Sequence, residues 1–119
     1  MIATSVLSIA EVAYGAHERN HGLSGAGEAA IEELWTPASP IQLLDVTLAL
    51  ARRTRTLIRS AKAGGHGIRS ADGIHLASAV MFDCEQIFTY EDEAHRTRWK
   101  QVTGITVAEP YTARPQLDL

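Results

Sequence analysis

The chain has 119 residues, of which 45% are hydrophobic and 21% charged, and its formal net charge is −3. These values are typical of a soluble globular protein, and we expect a single domain over residues 1–119. Neither a signal peptide nor a membrane span is predicted, because the N-terminus lacks a basic start and Glu11 interrupts its apolar run. The single cysteine, Cys84, excludes an internal disulfide and fits a reducing, cytoplasmic location.

A strand and two helices are predicted for the first part of the chain. The run from Ile2 to Leu7 is short, mostly apolar and contains β-branched residues, which predicts a strand. A helix is expected from Ser8. Its apolar residues share one face: Ile9, Val12, Ala13 and Ala16. The segment NHGLSGAG predicts a flexible connection or a weak break, and a second helix is expected over about Glu28 to Trp35.

A short strand and a long helix are predicted next. Pro37 and Pro40 exclude continuation of the preceding helix. IQLL, Ile41 to Leu44, then predicts a short buried strand, and Asp45 is expected to open a helix that runs through Ser60.

Basic residues are concentrated in and after this long helix. No acidic residue occurs between Asp45 and Asp72, whereas the basic residues there are Arg52, Arg53, Arg55, Arg59, Lys62 and Arg69. A basic stripe on a helix can bind phosphates. The alternative is a solvated helix face balanced by carboxylates elsewhere, and the sequence leaves both open.

The last part of the chain predicts two helices and two strands. SADGIHLASAV, Ser70 to Val80, is apolar nearly all round and is expected to form a buried helix. A strand over Gln86 to Tyr90 precedes a helix over Glu91 to Val102, which Gly104 ends. ITVAEP predicts a last strand, with Ile105 to Ala108 in the sheet, and the tail after it is expected to be irregular. Strands separated by helices predict an α/β fold with a parallel sheet covered on both faces.

Acidic residues lie where a metal site would form in such a fold. Glu11 is expected at the start of the helix after the first strand, Asp72 at the start of SADGIHLASAV, and Glu91 and Asp92 directly after a strand. Ligands collect at the carboxyl ends of parallel strands. Carboxylates brought together there repel one another unless a cation lies among them, and hard oxygen ligands favour Mg²⁺ or Mn²⁺.

A structural explanation of the same acids remains open, because helix entrances favour acids in any protein. Three pairs have the spacing or position of helix caps: Ser8 with Glu11, Ser70 with Asp72, and Thr89 with Asp92.

The segments TSVLSIAEVAYG, SADGIHLASAV, IFTYEDEAHR and GITVAEP resemble successive landmarks of the PIN domain, in particular of the VapC-type ribonuclease toxins of toxin–antitoxin pairs. The resemblance covers about Thr4 to Pro110, and D-[AG]-I-H-L-A is its most specific part. It implies a three-layer sandwich with a parallel sheet between helices, and a Mg²⁺-dependent ribonuclease. It also implies an RNA substrate, an antitoxin partner and a homodimer.

The resemblance assigns roles to four acids. Glu11 matches the helix glutamate of the family and Asp72 its central aspartate. Glu91 stands where the family usually has aspartate and Asp92 follows it, so either of these two could bind the cation. The predicted catalytic residues are Glu11, Asp72 and Glu91, and the predicted metal ligands are the same three together with Asp92. His75 matches the histidine of the motif, for which we expect a structural role.

Two departures from the family pattern stand out. Gly73 replaces the usual alanine, which costs about 1 kcal/mol of helix propensity. The N-terminal strand ending in aspartate, commonly D-T-N or D-S-N, has no counterpart here, so the fold is expected to be N-terminally incomplete. That strand is ordinarily central, and its loss would leave strand edges exposed, so we expect a dimer or larger species.

Three interpretations therefore compete. The first is a metal-dependent ribonuclease, in which residues of the basic segment contact the RNA backbone. The second is a catalytically impaired PIN remnant that acts as a binding or regulatory module. The third is an unrelated α/β domain whose acids are only helix caps.

Overall fold

The structure is a computed structural model that describes residues 2–110. The strands are β1 (Ile2–Ser5), β2 (Ile41–Leu44), β3 (Gln86–Phe88) and β4 (Thr106–Ala108). The helices are α1 (Leu7–Glu11), α2 (Ala16–His21), α3 (Gly25–Glu33), α4 (Leu48–Ala63), α5 (Ser70–Met81) and α6 (Glu93–Thr103). The chain forms two compact units, one up to Ala51 and the other from Arg52 onward.

The first unit contains a parallel pair of strands. β1 pairs with β2 in a register that places Ile2 opposite Ile41 and Ser5 opposite Leu44. Ser5 and Leu44, at the carboxyl ends of the two strands, are both buried. The Val6 amide extends the pairing by donating to the Leu44 carbonyl at 2.9 Å. The strand predicted over Ile41 to Leu44 is confirmed. The strand predicted over Ile2 to Leu7 is present but shorter, since β1 ends at Ser5 and Leu7 begins α1.

The helices of the first unit differ from the prediction. The helix expected to continue from Ser8 to Ala16 is interrupted, because α1 ends at Glu11 and α2 begins only at Ala16. The flexible segment NHGLSGAG instead contains the end of α2 and the start of α3. Ser24 begins α3 as its N-cap, and its hydroxyl accepts a hydrogen bond from the Gly27 amide at 3.0 Å.

Helix α4 begins later than predicted. Asp45 was expected to open it, but the first helical residue is Leu48. The Thr47 hydroxyl accepts a hydrogen bond from the Leu50 amide at 3.1 Å, and the Thr47 carbonyl accepts one from Ala51 at 2.9 Å. Thr47 therefore satisfies the first backbone amides of the helix, which is the role of an N-cap.

The second unit contains the other parallel pair. β3 pairs with β4, with Ile87 opposite Val107, and α6 packs against β4. The buried helix predicted over SADGIHLASAV is confirmed as α5, which packs against α6. The buried apolar residues of this unit are Ala61, Leu76, Ala77, Ala79 and Trp99. Gly104 ends α6 as predicted, in a left-handed conformation with φ of 74°.

The α/β class and the parallel pairing are confirmed. Within residues 2–110, however, the strands form two separate two-stranded sheets, whereas one continuous sheet was predicted. β3 and β4 are also shorter than predicted, since β3 ends at Phe88 and β4 begins at Thr106. The tail predicted to be irregular lies outside the described residues.

Candidate functional site

Asp72 lies in the first turn of α5 and is half-buried. The N-cap of this helix is Arg69, whose side chain makes no capping hydrogen bond, and Ser70 is already the first helical residue. Ser70 is therefore not the cap that was predicted for this helix, whereas Asp72 does lie in the first turn, where the helix dipole favours an acid. Within residues 2–110 the Asp72 carboxylate also receives no hydrogen bond and forms no ion pair. Its two oxygens thus remain available to a ligand.

Close helix packing holds the entrance of α5 in place. A Cβ atom at Gly73 would approach the Ile58 side chain to 2.8 Å and Cγ2 of Thr54 to 3.2 Å, both on α4. Gly73 and Thr54 are buried. This contact supplies the reason for a glycine where the family pattern has alanine, because a methyl group at this position would overlap Ile58. The neighbouring His75 is half-buried and has an interaction partner, as expected of a structural histidine.

Asp92 caps α6 and is already committed to hydrogen bonds. Its Oδ1 accepts from the His95 amide at 2.9 Å and lies 2.8 Å from Nδ1 of the His95 ring. These bonds, the backbone one first, hold the pKa of Asp92 below its ordinary value. The predicted pairing of Asp92 with Thr89 is wrong in detail, since Asp92 is itself the N-cap and Thr89 accepts from the Glu91 amide.

Glu91 lies beside this cap and is exposed. Its Oε2 is 3.9 Å from Nδ1 of His95, so Glu91 and Asp92 both face the same imidazole. Arg96 donates to the Glu91 backbone carbonyl and lies 3.4 Å from Oε1 of Glu109. These contacts fix the loop between β3 and α6. Two of the predicted metal ligands are thereby brought together around His95.

Glu11 belongs to the first unit, whereas the other three predicted ligands belong to the second. It is the last residue of α1, although it was expected near the start of a helix. The capping box predicted for Ser8 and Glu11 is wrong, because the N-cap is Val6 and the Ser8 hydroxyl instead lies 2.6 Å from that of Thr4. Glu11 is exposed and has an interaction partner.

No group of three or more acidic, histidine or cysteine side chains is gathered closely enough to hold a metal ion within residues 2–110. The ligand set of Glu11, Asp72, Glu91 and Asp92 therefore stays a prediction. In the same part of the chain, no helix has both the length and the apolar character that a membrane crossing needs.

Glu18 is a buried carboxylate that the sequence analysis missed. Its Oε2 accepts a hydrogen bond from the Ser24 amide at 2.8 Å, and its Oε1 accepts a longer one from Gly15 at 3.4 Å. Gly15 and Ser24 are the N-cap residues of α2 and α3, so this side chain ties two helix entrances together. Gly27 leaves room for it, since a Cβ there would lie 2.4 Å from the Glu18 carboxyl carbon. Glu18 therefore has a structural role.

The family model of the PIN domain matches residues 1–100 of the 119. Comparison with curated proteins and with solved structures gave no match. PIN domains are generally nucleases that depend on a divalent metal, and the match excludes the interpretation of the chain as an α/β domain unrelated to this family. The chain belongs to the PIN domain family.

Proposed function

We propose that this chain is a metal-dependent ribonuclease and the toxin component of a type II toxin–antitoxin system. Mg²⁺ or Mn²⁺ is the proposed cofactor, and Glu11, Asp72, Glu91 and Asp92 are the proposed ligands. The family match supports nuclease chemistry. The toxin role rests on the resemblance of the motif around Asp72 to VapC-type ribonucleases.

The state of Asp72 carries the proposal. Partial burial of a carboxylate removes water from it, and hydrogen bonds normally offset this cost. The half-buried carboxylate of Asp72 receives no hydrogen bond within residues 2–110. The helix behind it is buried over Leu76 to Ala79, so its entrance is held rigidly. A fixed carboxylate with unused oxygens has the donor chemistry that Mg²⁺ and Mn²⁺ prefer.

Asp72 and Asp92 would have different roles in binding the cation. When bound, the cation would supply positive charge to the scissile phosphate and lower the pKa of an attacking water. Asp72 would hold it from the rigid end of α5. Asp92 uses Oδ1 to cap α6, and Oδ2 has no hydrogen bond within residues 2–110, so one residue can both order the helix entrance and offer a ligand oxygen.

A homodimer and a complex with an antitoxin complete the proposal, and we place the protein in the cytoplasm. The homodimer is supported by the two sheets, each of which has only two strands within residues 2–110. Two-stranded sheets are marginally stable alone, and their outer edges readily pair with another chain. The antitoxin follows from the family resemblance alone.

A second candidate function is a binding or regulatory module that has lost catalysis. It is favoured by the absence, within residues 2–110, of a gathered group of three potential metal ligands. This candidate shares the fold but predicts no cleavage of RNA.

The decisive experiment measures cleavage of a labelled RNA by the intact chain with Mg²⁺, with Mn²⁺ and with EDTA. We expect cleavage that depends on the metal and falls to the EDTA level in Asp72→Asn. The free energy of unfolding of this variant should stay within about 1 kcal/mol of the wild type, because Asp72 has no capping role and only its interaction with the helix dipole is lost. Undiminished cleavage by Asp72→Asn would refute the assignment. RNA binding without any cleavage by the wild type would favour the binding module.

A further inference from the structure

The exposed face of α4 carries a row of positive charges. We propose that this row, the α4 basic stripe, binds consecutive phosphates of a single-stranded RNA backbone. Its members are Arg52, Arg55, Arg59 and Lys62. The proposal rests on the proposed ribonuclease function for the choice of RNA as the polyanion, and it locates where that substrate is held.

The helix geometry gathers these four residues into one line. They are spaced by 3, 4 and 3 positions, and at about 100° per residue they fall within an arc of about 80°. All four are exposed, whereas Thr54 and Ala61 on the opposite side of α4 are buried. The other basic residue of the helix, Arg53, falls outside the stripe.

The charges of the stripe are not balanced by carboxylates. Within residues 2–110 none of its four side chains forms an ion pair, since the ion pairs found there involve His95 and Arg96. Like charges three or four residues apart destabilise a helix. The whole chain is nevertheless acidic, with a net charge of −3. The four positive charges are therefore concentrated on one helix face of an acidic protein, and binding of a polyanion would neutralise them.

The dimensions of the stripe fit a phosphate backbone. From Arg52 to Lys62 the helix rises by about 15 Å, at about 1.5 Å per residue. A stacked nucleic-acid strand places one phosphate about every 3.4 Å, so the stripe spans about four of them. Three of its members are arginines, whose planar guanidinium groups bind phosphate oxygens in pairs.

The stripe offers no means to identify bases. The sequence of α4, LALARRTRTLIRSAKA, contains no aromatic residue on which a base could stack. Contacts made only to phosphates position a strand without selecting its sequence. The stripe therefore predicts binding that is tolerant of sequence and strongly dependent on salt.

The test measures the affinity of the intact chain for a fluorescent single-stranded RNA of mixed sequence, in EDTA, as a function of NaCl. Neutralising about four phosphates of a single strand predicts a slope of log K against log [NaCl] of about −2.8. The variant Arg55→Gln/Arg59→Gln should reduce this slope to about −1.4, because half of the stripe is lost. Glutamine maintains helix propensity, and circular dichroism would verify the fold.

The matched control is Arg53→Gln/Lys100→Gln, which removes two exposed charges outside the stripe. Both double variants remove the same charge, so a nonspecific electrostatic effect would change their slopes equally, whereas the stripe predicts no change in the control. Equal slopes for the two variants, or an unchanged slope for Arg55→Gln/Arg59→Gln, would overturn the proposal. Competition by polyglutamate as effective as competition by RNA would also overturn it, because the partner would then be an acidic polypeptide.

The result is independent of catalysis, because EDTA removes the metal. If the salt slope falls in Arg55→Gln/Arg59→Gln but the wild type cleaves no RNA, the binding role of the stripe is supported and the nuclease function is refuted. If cleavage depends on the metal and is lost in Asp72→Asn, but the salt slope is unchanged in Arg55→Gln/Arg59→Gln, the nuclease function is supported and the binding role of the stripe is refuted.

Discussion

The entrances of α5 and α6 differ in what an acidic residue does at the start of a helix. At α6, Asp92 is the N-cap, and its Oδ1 accepts from the amide and approaches the ring of His95. At α5, Asp72 has no capping role, and the N-cap residue Arg69 supplies no side-chain hydrogen bond. Similar sequence patterns therefore produce an acid that caps its helix through one oxygen at α6, and an acid without any hydrogen bond within residues 2–110 at α5.

The two entrances are also held by different forces. The α6 entrance is exposed and held by hydrogen bonds, whereas the α5 entrance is held by apolar packing of Gly73 against Ile58. Packing leaves the nearby carboxylate unoccupied, which suits a ligand-binding residue. Substitutions at Gly73, Asp92 and Asp72 test this difference between the two entrances.

Gly73→Ala should give the largest loss of stability. Overpacking against Ile58 costs about 1–3 kcal/mol, and only about 1 kcal/mol is regained from the helix propensity of alanine. We expect a net decrease in the free energy of unfolding, measured by urea denaturation.

Two variants control for this effect. Gly25→Ala, at a helical glycine with open space around it, should stabilise the chain or leave it unchanged. In the background of Ile58→Ala, the Gly73→Ala substitution should no longer destabilise, because the overlapping atoms are gone. A stabilising effect of Gly73→Ala in the wild-type background would show that packing does not hold the α5 entrance.

Asp92→Ala should lower the Tm by a few degrees, because it removes the acceptor of the His95 amide. Asp92→Asn should recover most of the loss, since asparagine also caps helices well. Thermal unfolding followed by circular dichroism measures both. An unchanged Tm for Asp92→Ala would mean that the α6 entrance does not depend on its cap.

The stability supplied by the Asp92 charge should depend on pH. Folding lowers the pKa of Asp92 from its ordinary value of 3.8, so the charged form stabilises the folded chain above that pH. The contribution is lost as the pH falls through the lowered pKa. Urea denaturation from pH 6 downward should therefore show a gap between the wild type and Asp92→Asn that closes at acidic pH. A gap that widens on acidification would contradict the assignment.

Asp72→Ala should have the smallest effect on stability. No hydrogen bond to its carboxylate is lost within residues 2–110, and only its interaction with the helix dipole disappears, which is worth about 0.3–1 kcal/mol. The free energy of unfolding in urea at neutral pH is the measurement. A loss as large as that of Gly73→Ala would return Asp72 to a structural role.

Sequence patterns located the secondary structure better than they assigned the helix caps. The apolar run after Asp72 predicted α5 correctly, because burial of one contiguous segment follows directly from composition. Ser8 was expected to cap a helix, but the helix begins one residue before it, so the cap spacing has no meaning there. A shift of one or two residues changes which side chain meets the free amides, and local spacing does not determine that shift.

Tertiary contacts account for the remaining differences. Nothing in the sequence near Gly73 indicates Ile58, which lies on the preceding helix, so the reason for the glycine emerges only from packing. Glu18 was missed for a similar reason, because one of its two amide partners is Ser24, at the start of the next helix. The basic segment was visible in the sequence, but the predicted helix ended at Ser60, and only the observed end of α4 at Ala63 adds Lys62 to the row.

Binding of Mn²⁺ to the intact chain, followed by electron paramagnetic resonance, tests most directly whether Asp72 is a metal ligand. The matched control is Glu93→Gln, which removes an exposed carboxylate from the first turn of α6. We expect Asp72→Asn to weaken Mn²⁺ binding by at least about tenfold, on the scale of losses at metal sites, and Glu93→Gln to leave it unchanged. Equal affinity for Mn²⁺ in the wild type and Asp72→Asn would show that Asp72 is not a metal ligand.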